Sequence, residues 1–317
     1  MTQKPSNVSA GAGIAAGVAL SAVAVGAAAI FVGSQCLQLV RTRSGMARVK
    51  KVRDEAGNQV RVLQQGGVYQ SATYLDERRF EPVFAYYRAF DRMFDAEASK
   101  RAATGGGIDR VLVMGGGGYA YPKHALTAHP ALDMDVVEID PSITRLARRW
   151  FFLDELERIA ADRLRLITAD ARTFISQALA EGTRYDAVVN DCFAGCEPVR
   201  ALATVEALCQ VKVCLNPGGL YLANVVSSAG GENIDFLRDA VATAAAVFSH
   251  VHVVPCEDVA FGAEDNYLLI ATDGAYSFHG ELPLDEALCG EVMRDVSERG
   301  PFWAPFRSLP PRCPIWP

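Results

Sequence analysis

The run Val111-Leu-Val-Met-Gly-Gly-Gly-Gly-Tyr119, followed by Val136-Val-Glu-Ile-Asp-Pro141, decides the fold class. Each begins with a short apolar stretch of strand character and breaks off at a residue type that cannot continue a strand. The first ends in glycines, where missing side chains let a ligand approach the backbone. The second ends in two acids, some twenty residues on. Pro122 suits the first turn of a helix after the glycines, and Pro141 opens a helix reaching Phe152. Strand, glycine loop, helix, strand and acid is the order of a βαβ nucleotide site.

Working outward, further strands are expected at Leu164–Thr168, Ala187–Asn190 and Leu220–Val225. Helices fall at about Thr173–Ala180, Thr204–Leu215 and Ile234–Phe248, and Val251–Val254 with Tyr267–Ala271 form a closing pair. Alternating elements of this kind imply a mostly parallel sheet covered on both faces. Upstream, Gln59–Leu63 and Val68–Tyr74 alternate around Gly66-Gly67, which predicts a hairpin. Glu81 to Phe94 reads as a helix whose Phe84, Tyr87 and Phe90 stripe belongs to the core. Downstream, a helix is expected over Asp285–Glu298, before a Pro-rich tail.

In an open α/β sheet, ligands bind beyond the carboxyl ends of the strands. The residues there are Gly115, Gly116 and Gly117 after the first strand, Glu138 and Asp140 after the second, Asp170 and Ala171 after the third, and Asp191 after the fourth. Asp140 precedes Pro141 and suits an N-cap. Glu138 has no such duty and is the candidate for the ribose hydroxyls. Asp170 is a candidate for the base, with a helix cap as its plainer role. Glycines alone also fit an NAD-dependent oxidoreductase, but no catalytic His–acid or Tyr–Lys arrangement accompanies them. Three acids in series suit a ligand with ribose, adenine amine and a charged sulfonium.

Together these motifs resemble the spermidine synthase family, most closely its membrane-associated branch, from about Gly66 to Thr272. Ala169-Asp170-Ala171, Tyr185-Asp186-Ala-Val-Val-Asn-Asp191 and Leu215-Asn-Pro-Gly-Gly-Leu220 complete the likeness. The resemblance implies an α/β, Rossmann-like class I methyltransferase fold with a small N-terminal β-hairpin domain. It implies S-adenosylmethionine or its decarboxylated form as co-substrate, with no metal, and an aminopropyl or methyl group passed to an amine acceptor. Glu138 becomes the ribose ligand, Asp170 the adenine ligand and Asp191 the acid at the reacting centre. Gln70, Tyr119 and His124 become candidates on the substrate side. Two family acids are replaced, by Gly118 and Ala194, so strict spermidine synthase activity is expected to be poor. Glu197 is a candidate substitute. A nucleotide-binding scaffold without turnover is the alternative outside catalysis.

Composition sets the frame. Of the 317 residues, the first 53 hold Lys4, Arg41, Arg43, Arg48, Lys50, Lys51 and Arg53 and no acid, leaving 24 basic against 37 acidic residues beyond. An acidic body argues against nucleic acid as partner. The eight cysteines show neither zinc spacing nor a disulfide framework and favour a reducing compartment. No charge occurs from Pro5 to Val40, and Gly13 to Gly33 is long and apolar enough for a membrane-spanning helix. A cleaved signal peptide is the rival. The basic residues after Val40 predict a single-pass protein with its main domain in the cytoplasm. The expected organisation is an anchor region at 1–40, a basic juxtamembrane segment, hairpin and linking helix at 41–104, the nucleotide-binding domain at 105–275, and a helix and tail at 276–317. A homodimer is left open.

Overall fold

A computed structural model describes residues 32–54, 56–194, 197–227, 234–256, 265–284 and 288–295. The N-terminal part is a four-stranded antiparallel sheet in the order β1 (Val32–Thr42), β2 (Gly45–Arg53), β3 (Gln59–Gln65) and β4 (Val68–Tyr74). The expected hairpin is its β3–β4 half. The other half adds to the sequence reading: the basic segment 41–53 holds the end of β1, a turn at Arg43-Ser44 and β2, which pairs Val52 with Val60 and Val49 with Leu63. Exposed Arg48 lies between buried Ala47 and Val49, the alternation of a half-buried strand, and Val52 is buried further along. The anticipated anchor falls mostly on residues outside those described, while Val32 and Gly33 already belong to β1. Among the described residues no helix is long and apolar enough to cross a membrane.

The main sheet is built from β5 (Arg110–Met114), β6 (Asp133–Glu138), β7 (Leu164–Thr168) and β8 (Tyr185–Asn190), then β11 (Leu215–Ser227), β12 (His250–Cys256) and β13 (Asp265–Thr272). The two-residue strands β9 (Phe193–Ala194) and β10 (Glu197–Pro198) pair apart from it. The order is β12-β13-β11-β8-β5-β6-β7, with β5 parallel to both β6 and β8, and β13 antiparallel to β11. This is the Rossmann-like, methyltransferase-type arrangement. The chain reverses its direction of travel across the sheet between β5 and β8, the switch point where a ligand is expected.

Strand β5 shows why its sequence is apolar without alternation. Val111 and Val113 face one core cluster, Leu112 and Met114 the other, and all four are buried. The aromatic stripe ends in the core as read, with Phe84, Tyr87 and Phe90 buried. The predicted single helix over it is instead two single turns, Tyr86–Ala89 and Arg92–Asp95, followed by Glu97–Thr104. The first two carry no side-chain cap.

The helix expected over 285–298 is also corrected. Residues 285–287 and 296–298 lie outside the described set, and 288–295 form a strap. Its N–H groups are taken by side chains of two helices: Glu291 donates to Asp239, Met293 to Thr243 and Asp295 to Glu206, at 2.8, 2.9 and 2.9 Å. Gly290 lets the strap touch the helix beneath, because a Cβ there would lie 2.3 Å from the Arg238 carbonyl carbon. One cysteine departs from expectation as well. Cys209 is disulfide-bonded, whereas Cys36, Cys192 and Cys214 are free thiols.

Candidate functional site

The ends of β5, β6, β7 and β8 open into a cavity of about 1020 Å³ including its mouth, which the N-terminal sheet closes from above. The glycine loop is shaped by contact. At Gly115 φ is +99°, and a Cβ would lie 2.4 Å from the carbonyl oxygen of Asp191. Only glycine allows the loop to cross so close to the end of β8. Backbone bonds from Gly115 to Val137 and from Asp191 to Met114, both 2.9 Å, lock the three strand ends together.

Glu138 is more than a ribose candidate. Its Oε2 accepts the N–H groups of Gly116 and Gly117 at 3.0 and 3.3 Å, and its Oε1 accepts that of Asp140 at 2.8 Å. The carboxylate thus holds the glycine loop, a duty the sequence did not reveal. Burial pushes its pKa up, against the pull of these three donors. Asp140 is the N-cap that Pro141 suggested, accepting the Ser142 N–H at 2.8 Å. Its second oxygen accepts the backbone N–H of Arg43, tying the β1–β2 turn to the site.

Asp170 lines the cavity and also caps its helix, accepting the Thr173 N–H at 2.9 Å and hydroxyl at 3.1 Å through Oδ1. Ala171 beside it is buried and lines the same wall. Asp191 stands opposite. Asn224 donates to its Oδ1 at 3.0 Å and the Tyr86 hydroxyl to its Oδ2 at 3.4 Å. Burial raises its pKa to about 6, although both hydrogen bonds oppose this. The Asn224 amide oxygen is buried with no hydrogen-bond partner among the described residues.

Of the candidates on the substrate side, Gln70 reaches the cavity wall from β4, and its carbonyl accepts the Tyr87 hydroxyl at 3.4 Å. Tyr119 and His124 are not among the lining residues. Tyr119 is buried at a helix start with φ +55°, its hydroxyl 2.8 Å from that of Thr144. His124 turns to Asp91, with Nε2 2.7 Å from the carboxylate. Gly116 also sits behind the loop, where a Cβ would meet the Tyr119 ring at 2.8 Å.

The two replaced acids have different surroundings. A Cβ on Gly118 would lie 2.5 Å from Ser71 Oγ, 2.8 Å from Ser71 Cβ and 3.1 Å from the Phe151 ring. There is no room for a carboxylate. Ala194, by contrast, is exposed in β9, and its register partner across the bridge is Glu197, whose side chain lies outside the described residues.

Several lining residues escaped the sequence reading: Tyr86, Cys192, and from the N-terminal sheet Thr42, Ser44, Gln65 and Tyr69. Tyr86 sat within a stripe read as core, its ring centroid 4.1 Å from that of Tyr87. Asn224 left a signal, as the one strongly polar residue within Leu220–Val226.

Comparison with known proteins agrees with this picture. Residues 102–254 match the family described as "Spermine/spermidine synthase domain". A polyamine aminopropyltransferase of Vibrio vulnificus is 33% identical over 120 residues, 38% of this chain and 38% of that protein. An eEF1A lysine and N-terminal methyltransferase of Bos taurus is 31% identical over 125 residues, 37% of this chain and 17% of that protein. The matched stretch therefore spans well under half of these curated relatives, both transferases by name. The crystal structure of spermidine synthase from Thermotoga maritima superposes with a TM-score of 0.54 at 16% identity, covering 80% of this chain and 76% of that one, which shows the shared fold. The resemblance to the spermidine synthase family read from the motifs is thereby shown.

Proposed function

We propose that this spermidine-synthase-like domain is a transferase that takes S-adenosylmethionine or its decarboxylated form and moves a methyl or aminopropyl group to an amine. The observation that carries the proposal is Asp191. It is a carboxylate with a pKa raised to about 6, set on the cavity wall across from Glu138 and Asp170. The nitrogen lone pair attacks a carbon bonded to the sulfonium. A C–N bond forms, the C–S bond breaks with its electron pair passing to sulfur, and the proton lost from nitrogen goes to Asp191. Asn224, donating to Asp191 from the neighbouring strand, fixes the orientation of that carboxylate. Most of the protein's contribution is orientation of the two reactants.

Glu138 keeps acceptor capacity for ribose hydroxyls, since a carboxylate has about four lone-pair sites and three are engaged. Asp170 faces the adenine. The packing at Gly118 favours a donor whose tail needs no carboxylate partner at that place, and so favours S-adenosylmethionine over its decarboxylated form. The test is product analysis with putrescine and each sulfonium in turn. Aminopropyl transfer at a high rate would set aside the argument from Gly118 and Ala194. Loss of all transfer in Asp191→Asn, with nucleotide affinity kept, is the outcome expected. We further propose that the apolar run from Gly13 up to the start of β1 anchors the chain with this domain in the cytoplasm; protease protection on intact cells tests that, and digestion from outside would refute it.

A further inference from the structure

The outer side of the β1–β2 hairpin carries a surface that the nucleotide site does not use. Leu39 pairs with Arg48, and Arg41 with Met46. Directly opposed residues, like residues two apart, share one face of a sheet. All four are exposed, Leu39 to 54% and Met46 to 46%. On the other face Val40 and Ala47 pack into the core. Arg43 in the hairpin turn and Arg145 and Arg149 on the helix Pro141–Trp150 are exposed nearby. Gln38 and Val40 of β1 line one groove with Arg145 and Arg149. Arg148 is paired with Glu157, but these five arginines make no ion pair with a described residue.

Two protruding apolar side chains flanked on the same face by Arg41 and Arg48, with Arg145 and Arg149 at the groove on the other face, are unusual on a body whose residues beyond 53 are acidic in balance. The patch is complementary to a surface that offers negative phosphates above hydrocarbon. The sequence immediately before it has no charged residue from Pro5 to Val40, which makes this hairpin the first charged element after an apolar run. We propose that the outer face of the β1–β2 hairpin docks on an anionic lipid bilayer, with Leu39 and Met46 entering the headgroup layer and Arg41 and Arg48 meeting lipid phosphates. Thr42 and Ser44 of the same hairpin line the nucleotide cavity. Docking therefore sets the sheet that covers the cavity between it and the membrane. The proposal does not depend on which group the enzyme transfers.

The experiment uses the full chain with Met46→Cys, labelled with an environment-sensitive fluorophore in a Cys36→Ser/Cys289→Ser background. With vesicles of phosphatidylcholine and phosphatidylserine the emission should shift to the blue, and with phosphatidylcholine alone it should stay aqueous. Adding Arg41→Gln/Arg48→Gln should weaken the vesicle dependence of the shift by roughly twenty-five-fold, on about fivefold per cation near an anionic surface. A probe that remains aqueous on anionic vesicles would overturn the proposal. So would a shift that needs no vesicles and grows with protein concentration, which would assign the patch to a second copy of the chain.

Discussion

Glu138 Oε2 lies 3.0 Å from the backbone nitrogen of Gly116, across the gap between the ends of β6 and β5. A residue singled out for the ribose is thus also the clamp on the glycine loop. Glu138→Ala should lower both nucleotide affinity and stability, each by ~1–3 kcal/mol, because three N–H groups lose their acceptor. Asp140→Ala should cost ~1 kcal/mol of stability through the lost cap, and less affinity. Chemical denaturation with and without nucleotide separates the two terms. An unchanged stability for Glu138→Ala would contradict the clamp.

Gly118→Asp is the obvious way to restore a family acid, and the packing predicts that it fails. The added Cβ meets Ser71 and Phe151 inside 3.2 Å, and overpacking of this kind costs ~1–3 kcal/mol. Thermal unfolding should show a lower midpoint, with no gain in aminopropyl transfer. Ala194→Asp should be tolerated, since Ala194 is exposed. A Gly118→Asp variant as stable as wild type would show that the β4 contact yields.

His124→Ala should leave nucleotide affinity within about twofold, because the ring bonds to Asp91 away from the cavity. Any loss should appear as stability, ~1.5–3 kcal/mol for one hydrogen bond to a carboxylate. Isothermal titration and a melting curve on the same sample decide it, and a tenfold loss of affinity would return His124 to the site.

These outcomes follow from what the sequence could and could not carry. The β5–β8 half was legible because each strand ends at a residue type with one physical use: Gly115 for close approach, Asp140 and Asp170 for caps, Asp191 for neither. The β1–β2 hairpin was hidden because Arg41, Arg48 and Lys50 look like a topology signal when Ala47 and Val49 between them are not read as a buried face. The strap at 288–295 was hidden because its helical spacing competes with acceptors on Asp239, Thr243 and Glu206, which only the fold brings near. Tyr86 was hidden for a third reason. Phe84, Tyr87 and Phe90 around it are core, and nothing in the spacing separates the one hydroxyl that reaches Asp191.

Asp191 also sets a pH dependence. Its pKa is raised in the folded protein, so its protonated form is favoured by folding. The stability it contributes is complete below the unfolded carboxylate range and is lost as pH rises through about 6. Catalysis runs the other way, because the carboxylate is the proton acceptor. kcat/KM should rise with pH through an apparent pKa of about 6. Tyr86→Phe should move that value upward, since the tyrosine hydrogen bond lowers it. A pH profile flat from 5 to 8 would remove Asp191 from the proton transfer.

The cavity over Gly115, Glu138, Asp170 and Asp191 should bind a sulfonium nucleoside. Calorimetric titration of the full chain with S-adenosylmethionine, its decarboxylated form, methylthioadenosine and NAD tests this most directly. Saturable binding of the three thioadenosine compounds is expected, with S-adenosylmethionine bound no weaker than its decarboxylated form and a clear loss in Glu138→Ala. Binding of NAD with no heat from any of the three would contradict it.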